Sequence, residues 1–209
     1  MNRRDFINDA ALLGAATLAV GSAATQAQDT AAAAAPAAQL ISPFDGYSSF
    51  DSPKLEFVFE IDLNFTRTQN INNMPTGAGR GAVYLDSGTV AGPRLNGVAV
   101  PNSGGDYALF RPDDVLSFDA RYMLQENDGT LIMLYNKGYL WGRYTDTMLK
   151  IRAWIFENGP VVPESDYYLR AFPTFEVEKG KHDWLMRHVI VGVGKRKEAG
   201  NIVRYYALL

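Results

Sequence analysis

Leu55-Glu56-Phe57-Val58-Phe59-Glu60-Ile61-Asp62-Leu63-Asn64-Phe65 is the stretch whose reading decides the fold. Apolar side chains stand at 55, 57, 59, 61, 63 and 65, with polar ones at 56, 60, 62 and 64. A period of two places one set on each face of a strand, which is the pattern of a half-buried β-strand. Outward from it, Ala82–Val90, Asn96–Val100, Tyr107–Phe110, Val115–Leu124 and Thr130–Asn136 read as further strands, and Tyr167–Glu178, Asp183–Gly194 and Asn201–Leu208 close the chain. Asn70–Gly81, polar and Gly-rich, reads as a long loop or irregular hairpin. Asn127-Asp128-Gly129 is a hairpin turn, because Asp-Gly accepts the positive φ angles that tight turns demand. One short helix is expected over 144–157, where Met148, Leu149, Ile151, Ile155 and Phe156 recur near helical spacing and Asn158-Gly159-Pro160 stops the run. About eight to ten short strands with frequent Gly and Pro turns predict an all-β sandwich or closed barrel. The stretch 117–124 favours the barrel. Phe118, Ala120, Tyr122 and Leu124 alternate with Ser117, Asp119, Arg121 and Met123, so neither face suits bulk water alone and a partly polar lumen is expected.

Composition narrows the chemistry. The 209 residues carry 20 Lys and Arg against 23 Asp and Glu, a net charge of −3, which lacks the basic excess of a nucleic-acid binder. A mean hydropathy of −0.14 excludes a multi-span membrane protein. The absence of cysteine removes disulfides, thiolate metal sites, iron–sulfur clusters and cysteine nucleophiles, and two histidines leave little for a zinc centre. No metal and no cofactor is therefore expected. The N-terminal Asn2-Arg3-Arg4-Asp5-Phe6-Ile7 resembles the twin-arginine export signal, and the apolar run 10–20 behind it is too short to span a bilayer. Residues 1–27 read as an export signal ending at Thr25-Gln26-Ala27, residues 28–52 as an Ala-rich disordered linker and lead-in, and 53–209 as the barrel domain. A periplasmic location follows, with no stable membrane insertion once the signal is removed.

Blocks in the mature chain resemble one bacterial and fungal family. They are Pro53-Lys54-Leu55-Glu56, Gly92-Pro93-Arg94-Leu95-Asn96-Gly97, Gly104-Gly105-Asp106-Tyr107, Arg111-Pro112-Asp113, Asp119-Ala120-Arg121-Tyr122, Asp128-Gly129, Tyr167-Tyr168-Leu169-Arg170, Phe175-Glu176 and Trp184-Leu185. Their order is similar to that of domain-of-unknown-function family 3237, also called uncharacterised protein family 0311. The resemblance implies a closed antiparallel calycin-like barrel, similar to lipocalins and allene oxide cyclases, often assembled into homo-oligomers. It implies little about activity. This chain departs from the family pattern at Tyr107 (commonly Trp), Asp114 (Gly), Leu169 (Phe) and Met186 (Asn), and around 143–159, which suggests a pocket reshaped for a particular ligand.

Several side chains are candidates for chemistry. Asp106 follows two glycines that allow close backbone approach, and a poorly solvated carboxylate there would serve as a general base; as a turn residue it would only cap an N–H. Asp119 and Arg121 are expected as an inward ion pair, with Arg121 left to grip a ligand oxygen, or else as a structural bridge. Tyr122 and Tyr168 offer phenolic donors for an oxyanion. Tyr107 and Trp184 are candidate ligand contacts, although in a chain this aromatic packing alone is the commoner role. Arg170 and Glu176 are expected to pair across the lumen, and Arg80 to clip an anion at the rim. His182 is expected exposed. His188, placed by alternation on one strand face with Trp184 and Met186, is the better acid or base.

The expected partner is a small hydrophobic or aromatic molecule, and no nucleic acid. One reading is a cofactor-independent lyase or isomerase working by proton transfer, with plant-derived phenolic compounds as a concrete version. In it Asp106 or His188 is the base, while Arg121 and Tyr122 steady the oxyanion. The alternative is a non-catalytic periplasmic carrier, which needs the lumen but no group with a shifted pKa; a third is a structural oligomer with filled barrels.

Overall fold

The computed structural model describes Phe44, Phe50 and residues 52–209. The expected export signal, and all of the linker except these few positions, lie outside the described residues. Eleven strands form one antiparallel sheet: β1 (Leu55–Ile71), β2 (Gly79–Ala91), β3 (Gly97–Ala99), β4 (Gly105–Asp106), β5 (Leu109–Phe110), β6 (Leu116–Glu126), β7 (Leu131–Gly142), β8 (Tyr167–Ala171), β9 (Thr174–Val177), β10 (Ile190–Lys197) and β11 (Gly200–Leu208). One helix, α1 (Thr147–Phe156), follows β7.

The sheet closes on itself. β1 pairs with β11 on one side and β2 on the other. β2 pairs with the short β3, β4 and β5, and each of these also pairs with β6. β6 continues to β7, β7 to β8, β8 to β10 and β10 to β11. β8 and β9 act as one broken strand along β7. The ring is continuous, which is how an antiparallel sheet disposes of the unpaired N–H and C=O groups of its edges; among the described residues the short β9 pairs with β7 alone. The expected barrel is the one found.

Alternation in the sequence becomes inside and outside. Val58, Phe59, Ile61 and Leu63 of β1 are buried, as are Ala120, Tyr122 and Leu124 of β6. The charged partners of β6, Asp119 and Arg121, therefore face outward. One end of the barrel is filled solid. There Phe59 stacks on Tyr205 at 4.9 Å between ring centroids, Phe175 meets Phe59 edge-on, and Phe44 packs against Trp184 at 5.4 Å. At the other end α1 lies across the opening and buries Ile151 against Leu140, Val162, Tyr167 and Leu169. The β-bulge between Phe65 and Thr68 shifts the phase of β1, so that Leu63 and Phe65 give way to Thr68 and Asn70 on the inner wall.

Several segments differ from the sequence reading. Strand β1 runs on to Ile71 and β2 starts at Gly79, inside the expected 70–81 loop, and of the expected 107–110 strand only Leu109–Phe110 is one. Strand β7 runs on to Gly142, well past the expected end at Asn136. The stretch 183–186 is a 3₁₀ turn, and strand begins only at Ile190. Trp184 is thus buried and Met186 exposed, so His188 shares no strand face with them. The helix stops where expected, with Asn158 at φ 54° just beyond it.

Candidate functional site

Between the filled end and α1 lies a cavity of about 780 Å³. Leu63, Ala120, Tyr122 and Val203 belong both to the packed core and to its lining, and so form its floor. Met148, Leu149, Ile155 and Phe156 of α1 line its mouth.

Asp106 is brought to this cavity by its two glycines. A Cβ on Gly104 would run into the Arg121 carbonyl oxygen, and one on Gly105 into that of Val83. Without side chains there, β4 wedges tightly between β2 and β6, with Asp106 paired to Val83 and Ala120. Ala120 in turn pairs with Asn136 on β7. A carboxyl and a carboxamide thus flank one small methyl group, their backbones roughly 9–10 Å apart across two strand spacings. The Asp106 Oδ1 accepts the Asp119 N–H at 3.0 Å. Burial pushes the Asp106 carboxyl up to about 7, against the opposing pull of that hydrogen bond and of the Arg196 guanidinium. The side chain meets cavity solvent on one side and protein on the others.

The rest of the inner wall is polar and under-satisfied. The Asn136 Oδ1 and the hydroxyls of Tyr122 and Tyr205 are buried without a hydrogen-bond partner. The two tyrosine hydroxyls are close enough to influence each other but make no regular hydrogen bond, and burial raises both phenols above their ordinary range. Opposite, Arg196 of β10 donates from Nη1 to Asn201 Oδ1 at 3.0 Å, while its Nε has no acceptor. Burial lowers the Arg196 pKa.

Of the residues singled out from sequence, Asp106 and Tyr122 line the cavity; the Asp106 carboxyl borders it, while the Tyr122 hydroxyl is sealed from water beside that of Tyr205. Arg170 contributes to the wall, but its guanidinium donates to the Leu169 carbonyl at 2.9 Å and lies 4.9 Å from the Tyr168 ring. Glu176 is exposed and makes no pair with it. Asp119 and Arg121 do form their ion pair, at 3.0 Å, but on the outside, because the small and aromatic face of β6 turns inward. The Arg121 hydrogen bond holds Asp119 below the usual carboxylate range. Arg80 donates to the Tyr107 carbonyl at 2.9 Å, Tyr107 is exposed, and Tyr168 stacks outside on Trp141 at 5.1 Å. Trp184 packs in the filled end. His188 is there too, its Nδ1 2.8 Å from the Trp184 carbonyl oxygen.

His182 is buried, contrary to expectation, with 2% of its surface exposed. Its Nε2 lies 3.2 Å from Asp128 Oδ2 and 3.9 Å from Glu126 Oε2. These three residues place ligand atoms within 4.8 Å of one another. The cation in this cluster is Lys181, 3.3 Å from Asp128, and both carboxylates already accept N–H groups of the β6–β7 turn. The cluster staples the 178–188 segment to that turn.

Arg196, Asn136 and Asn201 escaped the sequence reading. The signal for Arg196 was available: Ile190, Gly192 and Gly194 set an inward phase that reaches 196, inside a Lys195-Arg196-Lys197-Glu198 run that reads as a solvated hairpin.

Fold and site together define a closed antiparallel β-barrel with a ligand-sized, partly polar lumen. The family described as protein of unknown function (DUF3237) matches residues 53–208, and the chain belongs to it. The UPF0311 protein of Clostridium acetobutylicum is 28% identical over 155 residues, covering 73% of this chain and 92% of that protein. Among solved structures, a β-barrel-like protein of Acinetobacter baumannii superposes with a TM-score of 0.64 at 26% identity, covering 76% of this chain and 97% of the other. An enzyme from Penicillium herquei shares the fold with a TM-score of 0.55 at 18% identity, over 75% and 95% of the two chains.

Proposed function

We propose that the lumen takes up a small hydrophobic or aromatic molecule and that Asp106 moves a proton to or from it, making the protein a cofactor-independent lyase or isomerase. Phenolic compounds of plant origin are the substrate class we favour. The observation that carries this reading is the Asp106 carboxyl, pushed up to about 7 at the wall of a deep cavity with an open mouth. Near neutral pH both its acid and base forms are populated, which is the condition for general acid–base work. A carrier needs the cavity but no such group. The Tyr122 hydroxyl, at the cavity floor without a regular hydrogen bond, is the donor we assign to an oxyanion developing on the substrate. Arg121 and His188 have no part in it, since neither borders the cavity. That the same fold serves as an enzyme in Penicillium herquei supports the catalytic reading over the carrier.

The leader sequence supports export to the periplasm, and the exposed outer aromatics Tyr139, Trp141 and Phe172 support assembly into a homo-oligomer. The test begins with native mass spectrometry of protein purified from the periplasm of its own host, to identify a retained small molecule. That compound is then incubated in D2O with wild type and with Asp106→Asn, and exchange at carbon is followed by NMR. Exchange lost in a variant that still binds supports the proposal. Equal exchange in both takes Asp106 out of the chemistry and sinks the proposal; binding without any exchange sinks it and leaves the carrier.

A further inference from the structure

Arg196 is a buried charge on the wall of this lumen whose role proton transfer by Asp106 does not explain. Among the described residues no carboxylate comes within ion-pair distance of it. Asp106 is near enough to be felt electrostatically but makes no bond to it. An enclosed guanidinium without a counterion is costly, and a sequence that folds around one loses stability unless something compensates. The side chain is nonetheless carefully held. Asn201 grips Nη1 at 3.0 Å, and the Arg196 backbone N–H donates to the Tyr167 hydroxyl at 2.9 Å. Both contacts leave the same edge unused. Nε is sealed from solvent with no acceptor, and Nη2 makes no hydrogen bond. The Nε–Nη2 edge of a guanidinium presents two parallel N–H groups whose spacing matches the two oxygens of a carboxylate.

We propose that Arg196 is the anchor for a carboxylate on the ligand, so that this lumen takes hydrophobic or aromatic carboxylic acids. The inference rests on the reading of the cavity as the ligand site and adds the substrate's charged group to it. A carboxylate entering along the β10–β11 wall accepts from Nη2 and, after a small rotation that only Asn201 restrains, from Nε. The apolar body of the ligand then lies over Leu63, Phe118 and Val203, with Asp106 on the opposite wall. Inorganic anions would meet the same donors but leave that apolar surface bare.

The test uses two probes that differ only in the group at issue, 2-naphthoate and the uncharged 2-naphthamide, titrated calorimetrically into the full barrel. The naphthoate should bind ten-fold or more tightly than the amide, the range expected of charge-assisted hydrogen bonds. In Arg196→Gln the preference should fall below two-fold while the amide's affinity stays unchanged. A second readout needs no variant: in wild-type protein labelled with 15N, the Arg196 Nε–H resonance should move on addition of naphthoate and stay still with the amide. Equal affinities, an unmoved Nε–H resonance, or a preference that survives in a folded Arg196→Gln would each overturn the proposal. Binding of the amide alone would overturn it while leaving the lumen as a ligand site. Binding of neither probe would count against both readings.

Discussion

Replacing Asp106 with Asn should make the protein more stable, and only above a defined pH. A carboxyl whose pKa moves from 3.8 in the unfolded chain to about 7 in the folded one keeps a proton that the unfolded chain has already released. Within that window stability falls as pH rises, and the whole loss is present above pH 7. Each pKa unit corresponds to 1.36 kcal/mol, so the full interval is worth ~4 kcal/mol. Cavity water hydrates the ionised group in part, which brings the expected value to about 2–4 kcal/mol. Asparagine keeps an oxygen to accept the Asp119 N–H and never ionises. The variant should therefore match wild type near pH 4.5 and exceed it by that margin at pH 8.5, or on the order of 5–15 °C in Tm for a domain of this size. Urea unfolding followed by tryptophan fluorescence at four pH values from 4.5 to 8.5 measures the gap. A gap that does not change with pH would refute the reasoning, as would a variant weaker than wild type at pH 8.5. Either would mean that the Asp106 carboxyl ionises freely in the fold.

Other expectations follow from the same geometry. Gly104→Ala should cost about 2–3 kcal/mol in urea unfolding, since the new methyl meets the Arg121 carbonyl and β4 must back away from β6; a loss under ~0.5 kcal/mol would show that the wedge is slack. Tyr122→Phe removes a buried hydroxyl that makes no regular hydrogen bond with its neighbour, the Tyr205 hydroxyl, so stability should stay within ~1 kcal/mol of wild type. A clear loss in the same unfolding assay would mean the hydroxyl is bonded. Arg121→Met should leave the urea midpoint almost unchanged and the titration of Asp106, read by carboxyl NMR, where it was, because its ion pair lies outside the barrel. Asp128→Ala should speed amide exchange across 178–188 while sparing β1 and β11; unchanged exchange there would show that the Lys181 and His182 contacts do not hold that segment.

The parts of the fold that showed in the sequence are those whose inner face is apolar. β1 announces itself because Phe59, Ile61 and Leu63 point into packed core. β7 is legible only to Asn136, because there the inward positions turn to Asn136 and Gly138, facing cavity and a tight strand contact, before Leu140 returns to apolar packing under α1. A wall that lines a polar lumen loses the hydrophobic period by which strands are recognised. The same loss hid Arg196 and Asn201 inside what reads as a charged hairpin. On β6 the alternation was clear but its direction was taken the wrong way for the charges: Asp119 and Arg121 look like a site, and Ala120 and Tyr122 between them are what face the ligand space. The 3₁₀ turn at 183–186 was missed because Trp184, Met186 and His188 imitate a strand's alternation, while the apolar surface they serve is the barrel's plug. Asp106 stands out because two adjacent glycines before a carboxylate mark a close backbone approach whatever the surrounding pattern, and the structure places it at the cavity wall.

The bulge between Phe65 and Thr68 makes the mouth of this barrel editable. One extra residue there decides which register of side chains looks inward: Thr68 and Asn70 line the cavity, while Arg67 lies over the outer Tyr84 ring and Gln69 accepts from the Tyr84 hydroxyl. The extra residue is what keeps that pattern: without the bulge, at constant length, plain alternation from Phe65 would carry the cationic Arg67 register to the rim and send the small polar one out. The polarity of the opening is thus set by one local irregularity, apart from the packed end that keeps the barrel folded.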